Sequence, residues 1–491
     1  MRREMLSLLN RRIGRRDLMK RLLAGTGTTL LTGRAVFGTR RPNGQARTPD
    51  WTRLQNTVQG RVVPRGGPGY DGARHKMVWN ALKSERFPDA IVHAWSEADV
   101  VDAVRFARQH GLKIAVRGGG HNWHNPALRQ GGLLLDLSGL NQVRVDAGHR
   151  QAAVQPGVTG GALMADLAPH GLAFPIAHSA KVPVSGFLLN GGLGWNYRLW
   201  GPSCASIQAL DIVNARGELI RAEKDRNADL FWAARGAGPG FFGVVTRFHL
   251  KLFPLPQSML RSTLNYPVEE RERVVAWLSQ LVPLAAPVEL GCTFSSRGVQ
   301  IHATAFADSA LAARKALQVL EAEPIELKPL RKSLYQEAPV EEVFGRASTT
   351  VEPGPRYAGD SGWSNASPRE LLSSVRDGLL VAPSGSVVQL EFLHHQDWPP
   401  QPDMAFSMFG STYVHAHALW NDAAQDAPNQ AWVRDTITSL EPLKVGHYVG
   451  EANLSVAPDR AKQCFSPAAW NRLNALKQKH DPDDVFFSYL R

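Results

Sequence analysis

The sequence predicts a mixed α and β protein of two domains behind a basic N-terminal segment, and three observations carry that prediction. Short apolar runs of strand length alternate with capped helices from about residue 60 to 255. Three glycine-rich stretches interrupt this region. After Pro254 and Pro256 the composition changes to alternating, strand-like runs that continue to about residue 445. With 491 residues, 43% hydrophobic and 20% charged, the chain has room for two or three domains and is too apolar to be disordered or fibrous.

The formal charge of +12 is concentrated at one end. Residues 1–47 carry twelve Lys or Arg against Glu4 and Asp17, while the remaining 444 residues carry 44 basic and 42 acidic groups. The body therefore lacks the basic field that nucleic-acid binding requires. Residues 1–46 read as a twin-arginine signal: Arg15-Arg16-Asp17-Leu18-Met19-Lys20 precedes a mildly apolar stretch from Leu22 to Leu31. That stretch contains Gly25 and Gly27 and falls short of the roughly 18 residues of a membrane span, which argues against a stable anchor. A basic tail or nucleic-acid arm is the competing reading. Export in the folded state fits a cofactor loaded before transport. Cys204, Cys292 and Cys464 have neither metal-ligand nor CxxC spacing.

In chain order, Ile91 to Ala94 reads as a strand, followed by a helix capped by Ser96, with Glu97 and Asp99 in its first turn and Gly111 at its end. Val100, Val101, Val104, Phe106 and Ala107 supply its apolar face. The next strand, Lys113 to Val116, runs into Arg117-Gly118-Gly119-Gly120-His121, and Gly132 to Leu137 follows. Further strands are expected at Ala152 to Gln155, Ala209 to Asn214 and Gly243 to Leu252, with a helix from Thr159 to His170. In the second region, strands are expected at Glu289 to Phe294, Gln300 to Phe306 and Ser386 to His394, with helices around 269–281 and 308–321. A last helix, Pro467 to Lys479, precedes Asp481-Pro482-Asp483-Asp484-Val485-Phe486.

The glycine-rich stretches are RGGGH (117–121), GFLLNGGLGW (186–195) and GAGPGFFGVVT (236–246). Glycine admits positive φ and lets main-chain N–H groups approach phosphate oxygens. None of the three has the GxGxxG fingerprint of a Rossmann site, and no GxxxxGK[ST] is present. Each alone also fits an ordinary tight turn.

Together with YDGARHKMVWN, GGLLLDLSGLNQVRV, VPVSGFLLNGGLGWN, NADLFWAARGAGPGFFGVVTRF and the terminal LKQKHDPDDVF, these motifs resemble the FAD-linked oxidases with the vanillyl-alcohol-oxidase flavin fold, in their berberine-bridge-enzyme-like branch. The resemblance covers roughly 60–255 and 446–491. It implies an α+β fold, with a split FAD-binding domain (60–255, rejoined by 446–491) and an antiparallel-sheet substrate domain with helices (256–445). It assigns the cofactor to Arg117, Gly118, Gly119, Gly120, His121, Asn122, Val182, Gly186, Gly191, Gly192, Trp195, Asn196, Gly243, Val244 and Val245. In the family the His of this motif is joined to the flavin 8α-methyl carbon, which implies covalent FAD through His121. A neutral imidazole is a competent nucleophile for that bond.

Where well-known members carry a second attachment Cys, this chain has Ser179, which implies a single covalent bond; Cys204 is the alternative partner. Val182 stands where Val accompanies oxidase behaviour in the family, and a packing residue is the alternative. The family's catalytic base points to Glu391 and His395 in QLEFLHHQ, which an even spacing puts on one strand face, and to Tyr448 in HYVGEAN. An ordinary cross-strand charge is the competing reading of Glu391. The later family Asn-Tyr step reads Ala469-Trp470-Asn471 here. His415 and His417 in YVHAH have i, i+2 spacing and read as strand surface, so no metal is expected. The expected function is an exported oxidoreductase, periplasmic or secreted, that oxidises a small-molecule alcohol, sugar or amine and passes electrons to O₂ as hydrogen peroxide. Alternatives are a dehydrogenase with another acceptor and a secreted flavin-binding protein without catalysis. The expected partners are a small-molecule substrate, O₂ or another acceptor and the twin-arginine export machinery, with no nucleic acid.

Overall fold

Four short apolar strands build the first sheet: β1 (Arg61–Pro64), β2 (Ala90–His93), β3 (Ile114–Arg117) and β4 (Leu133–Asp136), in the order β1-β2-β4-β3. β2 and β3 both run parallel to β4, and helix α1 (Glu97–Gln109) makes the crossover between them. Ser96 caps α1 by accepting the Asp99 N–H, Val100, Ala103, Val104 and Ala107 are buried, and Gly111 ends the turn at φ +65°. Parallel strands covered on their faces explain why these runs read as continuously apolar.

This computed structural model describes residues 49–285, 288–338, 355–393, 395–454 and 457–490. The twin-arginine segment, 1–46, and His394 lie outside the described residues. From Thr48 to Arg491 the chain is one compact unit.

The second sheet is wholly antiparallel. Its strands are β5 (Val143–Asp146), β6 (Gln151–Val154), β7 (Ile207–Val213), β8 (Leu219–Glu223) and β9 (Val244–Lys251), in the order β5-β6-β9-β7-β8. Three helices lie between β6 and β7 in the chain: α2 (Gly160–Leu167), capped by Thr159, the short α3 (Val184–Leu189) and a single turn at Tyr197–Trp200.

The third sheet has eight strands: β10 (Ser258–Pro267), β11 (Glu289–Ser295), β12 (Gly298–Ala307), β13 (Arg331–Glu337), β14 (Arg356–Ser364), β15 (Val387–Phe392), β16 (Thr412–Trp420) and β17 (Lys444–Gly446). Their order is β13-β10-β12-β11-β15-β16-β14-β17, all antiparallel. Residues alternate between two faces. Leu290, Cys292, Phe294, Ile301, Ala303, Leu390, Val414 and Ala416 form a buried apolar layer with the helices α4 (Arg271–Leu281), α5 (Ala310–Leu317), α6 (Pro368–Leu380) and α7 (Asp426–Ser439). Two helices are expected here, and four are found among the described residues. α6, which is not one of the expected helices, starts at a capping box in which Ser367 and Glu370 each hydrogen-bond the other's main chain.

The opposite, polar face of this sheet carries the side chains that matter below. The chain then returns to its beginning. After α8 (Pro467–His480), Asp481 accepts the N–H groups of Val485 and Phe486, and Val485 and Phe487 bond to Ile114 on the free edge of β3. The terminal DPDDVF therefore completes the first sheet.

Candidate active site

A cavity of about 860 Å³ lies between the glycine-rich loops and the polar face of the large sheet. Its loop wall starts at the end of β3. Arg117 does not face a ligand as a free cation. Its guanidinium is spent on Asp136 (2.6 Å), Gly119 O (2.9 Å) and Met77 O (2.8 Å), which fixes the loop that follows. A Cβ on Gly118 would overlap Ser185 Oγ, one on Gly119 the Pro183 ring, and one on Gly120 the Met77 carbonyl; Gly120 also sits at φ +64°. The loop is consequently pressed against α3 in a form only glycine permits. Among the described residues, the N–H groups of Gly118, Gly119, Gly120 and Asn122 donate to no carbonyl. Asn122 instead ties the loop to the returning chain, its Nδ2 donating to Gly450 O at 2.7 Å.

His121 lines the cavity, with its carbonyl bonded to the Trp79 indole and its ring 5.5 Å from that of Trp79. Burial pushes its pKa down to about 4, so the imidazole is neutral and its nitrogen lone pair is available at neutral pH. Ser179 and Ser185 also line this wall, and neither hydroxyl has a partner. Arg129 completes the set beside Phe487, with no ion pair among the described residues and with its Nε buried and unbonded. Free amides, two unsatisfied hydroxyls and an unpaired guanidinium form a donor set suited to a diphosphate, so this wall fits FAD.

Of the expected cofactor residues, Arg117 to Asn122, Val182, Gly186, Trp195, Gly243 and Val245 line the cavity. Gly191, Gly192, Asn196 and Val244 do not, because they are used inside the wall. Gly191 lies against the Phe406 ring and bonds Cys204, the Gly192 N–H donates to Tyr448 Oη at 3.2 Å, Asn196 is buried at φ +63° and Val244 is buried in β9. Cys204 is likewise off the cavity, its Sγ 3.5 Å from Met404 Sδ and its thiol pushed up to about 12 by burial.

On the sheet wall, register sets the chemistry. Gly291 of β11 pairs with His302 of β12 on one side and with Glu391 of β15 on the other, and Glu391 pairs in turn with Tyr413 of β16. Because Gly291 has no side chain, His302 Nε2 reaches Glu391 Oε1 at 3.1 Å across it, while Gln389 donates to the same oxygen at 2.6 Å. Burial works to raise the Glu391 pKa, but His302 and Gln389 prevail and hold the carboxyl below its ordinary range. Glu289, two residues before Gly291, accepts the Tyr197 N–H at 2.9 Å; burial and the nearby Glu391 push its pKa well up, toward the neutral form.

Tyr448 lines the cavity, and its hydroxyl accepts the Gly192 N–H. Tyr413 Oη is buried in the same wall without a partner. His395 is not on the strand face expected for it. β15 ends at Phe392, so strand alternation does not reach His395, which falls in a short 3₁₀ turn to Asp397; its side chain lies outside the described residues. His415 and His417 are not strand surface either. His415 stacks on Trp123 at 5.3 Å, His417 on Tyr357 at 5.4 Å, and burial depresses the pKa of both rings. Among the described residues no group of three His, Cys, Asp or Glu side chains is arranged to hold a metal.

The residues the sequence reading misses are His302, Glu289, Tyr413, Arg129 and Glu451. His302 and Glu289 lie within strands that are legible, but pairing across three strands brings them to Glu391.

An α+β scaffold with a phosphate-binding loop wall, a neutral histidine and a polar sheet wall defines a flavin-dependent redox protein, and residues 88–223 match the family model described as an FAD binding domain. The chain is 30% identical over 429 residues to the FAD-linked oxidoreductase janO of Penicillium janthinellum, covering 84% of this chain and 93% of that protein. It belongs to the FAD-linked oxidoreductases. The crystal structure of 6-hydroxy-D-nicotine oxidase from Arthrobacter nicotinovorans has 25% identity and a TM-score of 0.76, covering 88% of this chain and 98% of that one. BBE-like 1 of Physcomitrella patens shares the fold at 19% identity, with a TM-score of 0.77 over 89% of this chain and 98% of that one.

Proposed function

We propose that this protein is an exported oxidase that removes two electrons and two protons from an alcohol, sugar or amine and delivers them to O₂ as hydrogen peroxide. The observation that carries the reading is Glu391, held ionised by His302 and Gln389 and facing the loop wall that carries His121. When bound, FAD supplies the electron-pair acceptor for the substrate hydride. Glu391 takes the proton from the substrate O–H or N–H, and His302 keeps that carboxylate ionised and oriented. The Tyr413 and Tyr448 hydroxyls present hydrogen-bonding groups on the same wall. The proposed covalent tether is His121, whose neutral ring is available to the flavin 8α position, and Ser179, lacking a thiol, leaves it the single link. Val182 on the cavity lining supports the choice of O₂ as acceptor.

Export rests on the twin-arginine segment, and among the described residues no helix is long and apolar enough to cross a membrane. The test is a denaturing gel of acid-precipitated protein viewed under ultraviolet light. The wild type is expected to give a fluorescent band that disappears in His121→Ala, whereas a yellow native protein with no band would overturn covalent attachment at His121.

A further inference from the structure

We propose that the end of the cavity bounded by Trp123, Tyr413, His415 and Glu451 holds the basic nitrogen of an amine substrate, with the Glu451 carboxylate as its counter-ion. The inference rests on reading the cavity as the substrate site and selects one of the three substrate classes. Three carboxyls on this cavity are withdrawn from bulk water, and two are matched by the protein. Glu391 has His302 and Gln389, and Glu289 has main-chain N–H groups at the start of the Tyr197 turn. Glu451 has nothing comparable. Its main chain is fully used, its N–H bonding Tyr448 O and its carbonyl facing His124 Nε2 at 3.1 Å. Its side chain lines the cavity and makes no hydrogen bond or ion pair among the described residues.

The surroundings select the sign of the missing partner. Trp123 presents its ring stacked on His415, with Tyr413 next along β16, and rings of this kind attract a cation through their faces. Among the described residues no cation is paired with Glu451: His124 and His415 are kept neutral by burial, Arg117 is committed to Asp136, Arg129 lies beside Phe487 and Arg261 lies over the Trp195 ring. The groups facing Glu451 are His124, Tyr357 on β14 and Tyr448, with Asp360, Arg86 and Arg460 beyond His124. Burial raises the Glu451 pKa to about 8, which favours the neutral acid at pH 7. An ammonium group entering the site restores the charged carboxylate and displaces a proton. A neutral hydroxyl would leave the acid protonated.

The experiment is calorimetric titration of the full-length, flavin-loaded protein under argon at pH 7, in phosphate and in Tris, with two probes. N-benzylpyrrolidine is a basic amine, and N-benzoylpyrrolidine is the neutral amide of the same ring skeleton. The amine is expected to bind roughly tenfold or more tightly than the amide, with release of roughly one proton seen as a buffer-dependent heat. In Glu451→Gln the preference and the proton release should both vanish while the affinity for the amide and the flavin content stay unchanged. Equal binding of both probes by the wild type would overturn the amine assignment and leave the substrate cavity standing. Failure of both probes to bind would overturn both.

Discussion

Along the loop wall of the cavity the groups offered to a ligand belong mainly to the main chain: the N–H groups of Gly118, Gly119 and Gly120, held in place by Arg117 and by contacts that leave no room for a Cβ. Along the sheet wall they are side chains, one from each of several strands, set beside one another by register: His302, Glu391 and Tyr413, with Gly291 as the gap that lets two of them meet. A wall of the first kind tolerates almost no change of sequence, because the ligand reads backbone geometry. A wall of the second kind keeps its frame while its side chains vary, so one cofactor site can serve different substrates.

The sharpest way to break that comparison is at its most polar point. Glu391→Gln is expected to lower the rate of anaerobic flavin bleaching by substrate roughly 10²- to 10⁴-fold, with flavin content and thermal stability unchanged. Loss of flavin in that variant would mean that the sheet wall also holds the cofactor, and an unaltered rate would remove Glu391 as the base. Glycine substitutions should give the reverse. Gly120→Ala forces a Cβ at φ +64° against the Met77 carbonyl, and should cost more than about 1 kcal/mol of stability and yield colourless protein. Gly359→Ala meets side-chain atoms of His415, Tyr357 and Trp123 instead, and should keep its flavin while weakening ligand binding. Denaturant melts and absorbance spectra of the two variants decide this.

The same contrast explains what the sequence discloses. RGGGH is legible because a contiguous run performs the whole local task, and the helix cap at Ser96 is legible for the same reason. Glu391 is legible as a strand residue of a polar stretch, but its partner His302 is 89 positions away and reaches it through a third strand, so no spacing announces the pair. Tyr413 sits in a recognisable strand and Glu451 in the turn of the HYVGEAN motif, yet what makes them notable is an unmatched polar group inside a cavity, which is a property of the assembled fold. His395 shows the opposite failure. Even spacing from Glu391 has meaning only while the strand continues, and β15 stops at Phe392.

The smallest effect expected is a displacement of a pH profile. In the proposed reaction the ionised form of Glu391 is the base, so activity should fall as pH drops through its folded pKa. That pKa is lowered in spite of burial, because His302 and Gln389 bond the charged form. A carboxyl depressed in this way contributes stability above its unfolded pKa and loses it as pH falls through the folded value. In His302→Leu, burial is opposed by Gln389 with no imidazole to help, so the acid limb of kcat should move to higher pH. Gln389→Leu should move it in the same direction. Ser179→Ala, a change of one unbonded hydroxyl on the loop wall, should leave the limb where it is. Stopped-flow bleaching rates from pH 4 to 9 for the three variants make the comparison. A limb that stays fixed in His302→Leu and shifts in Ser179→Ala would assign the titrating group to the cofactor side and reverse the division of labour between the walls.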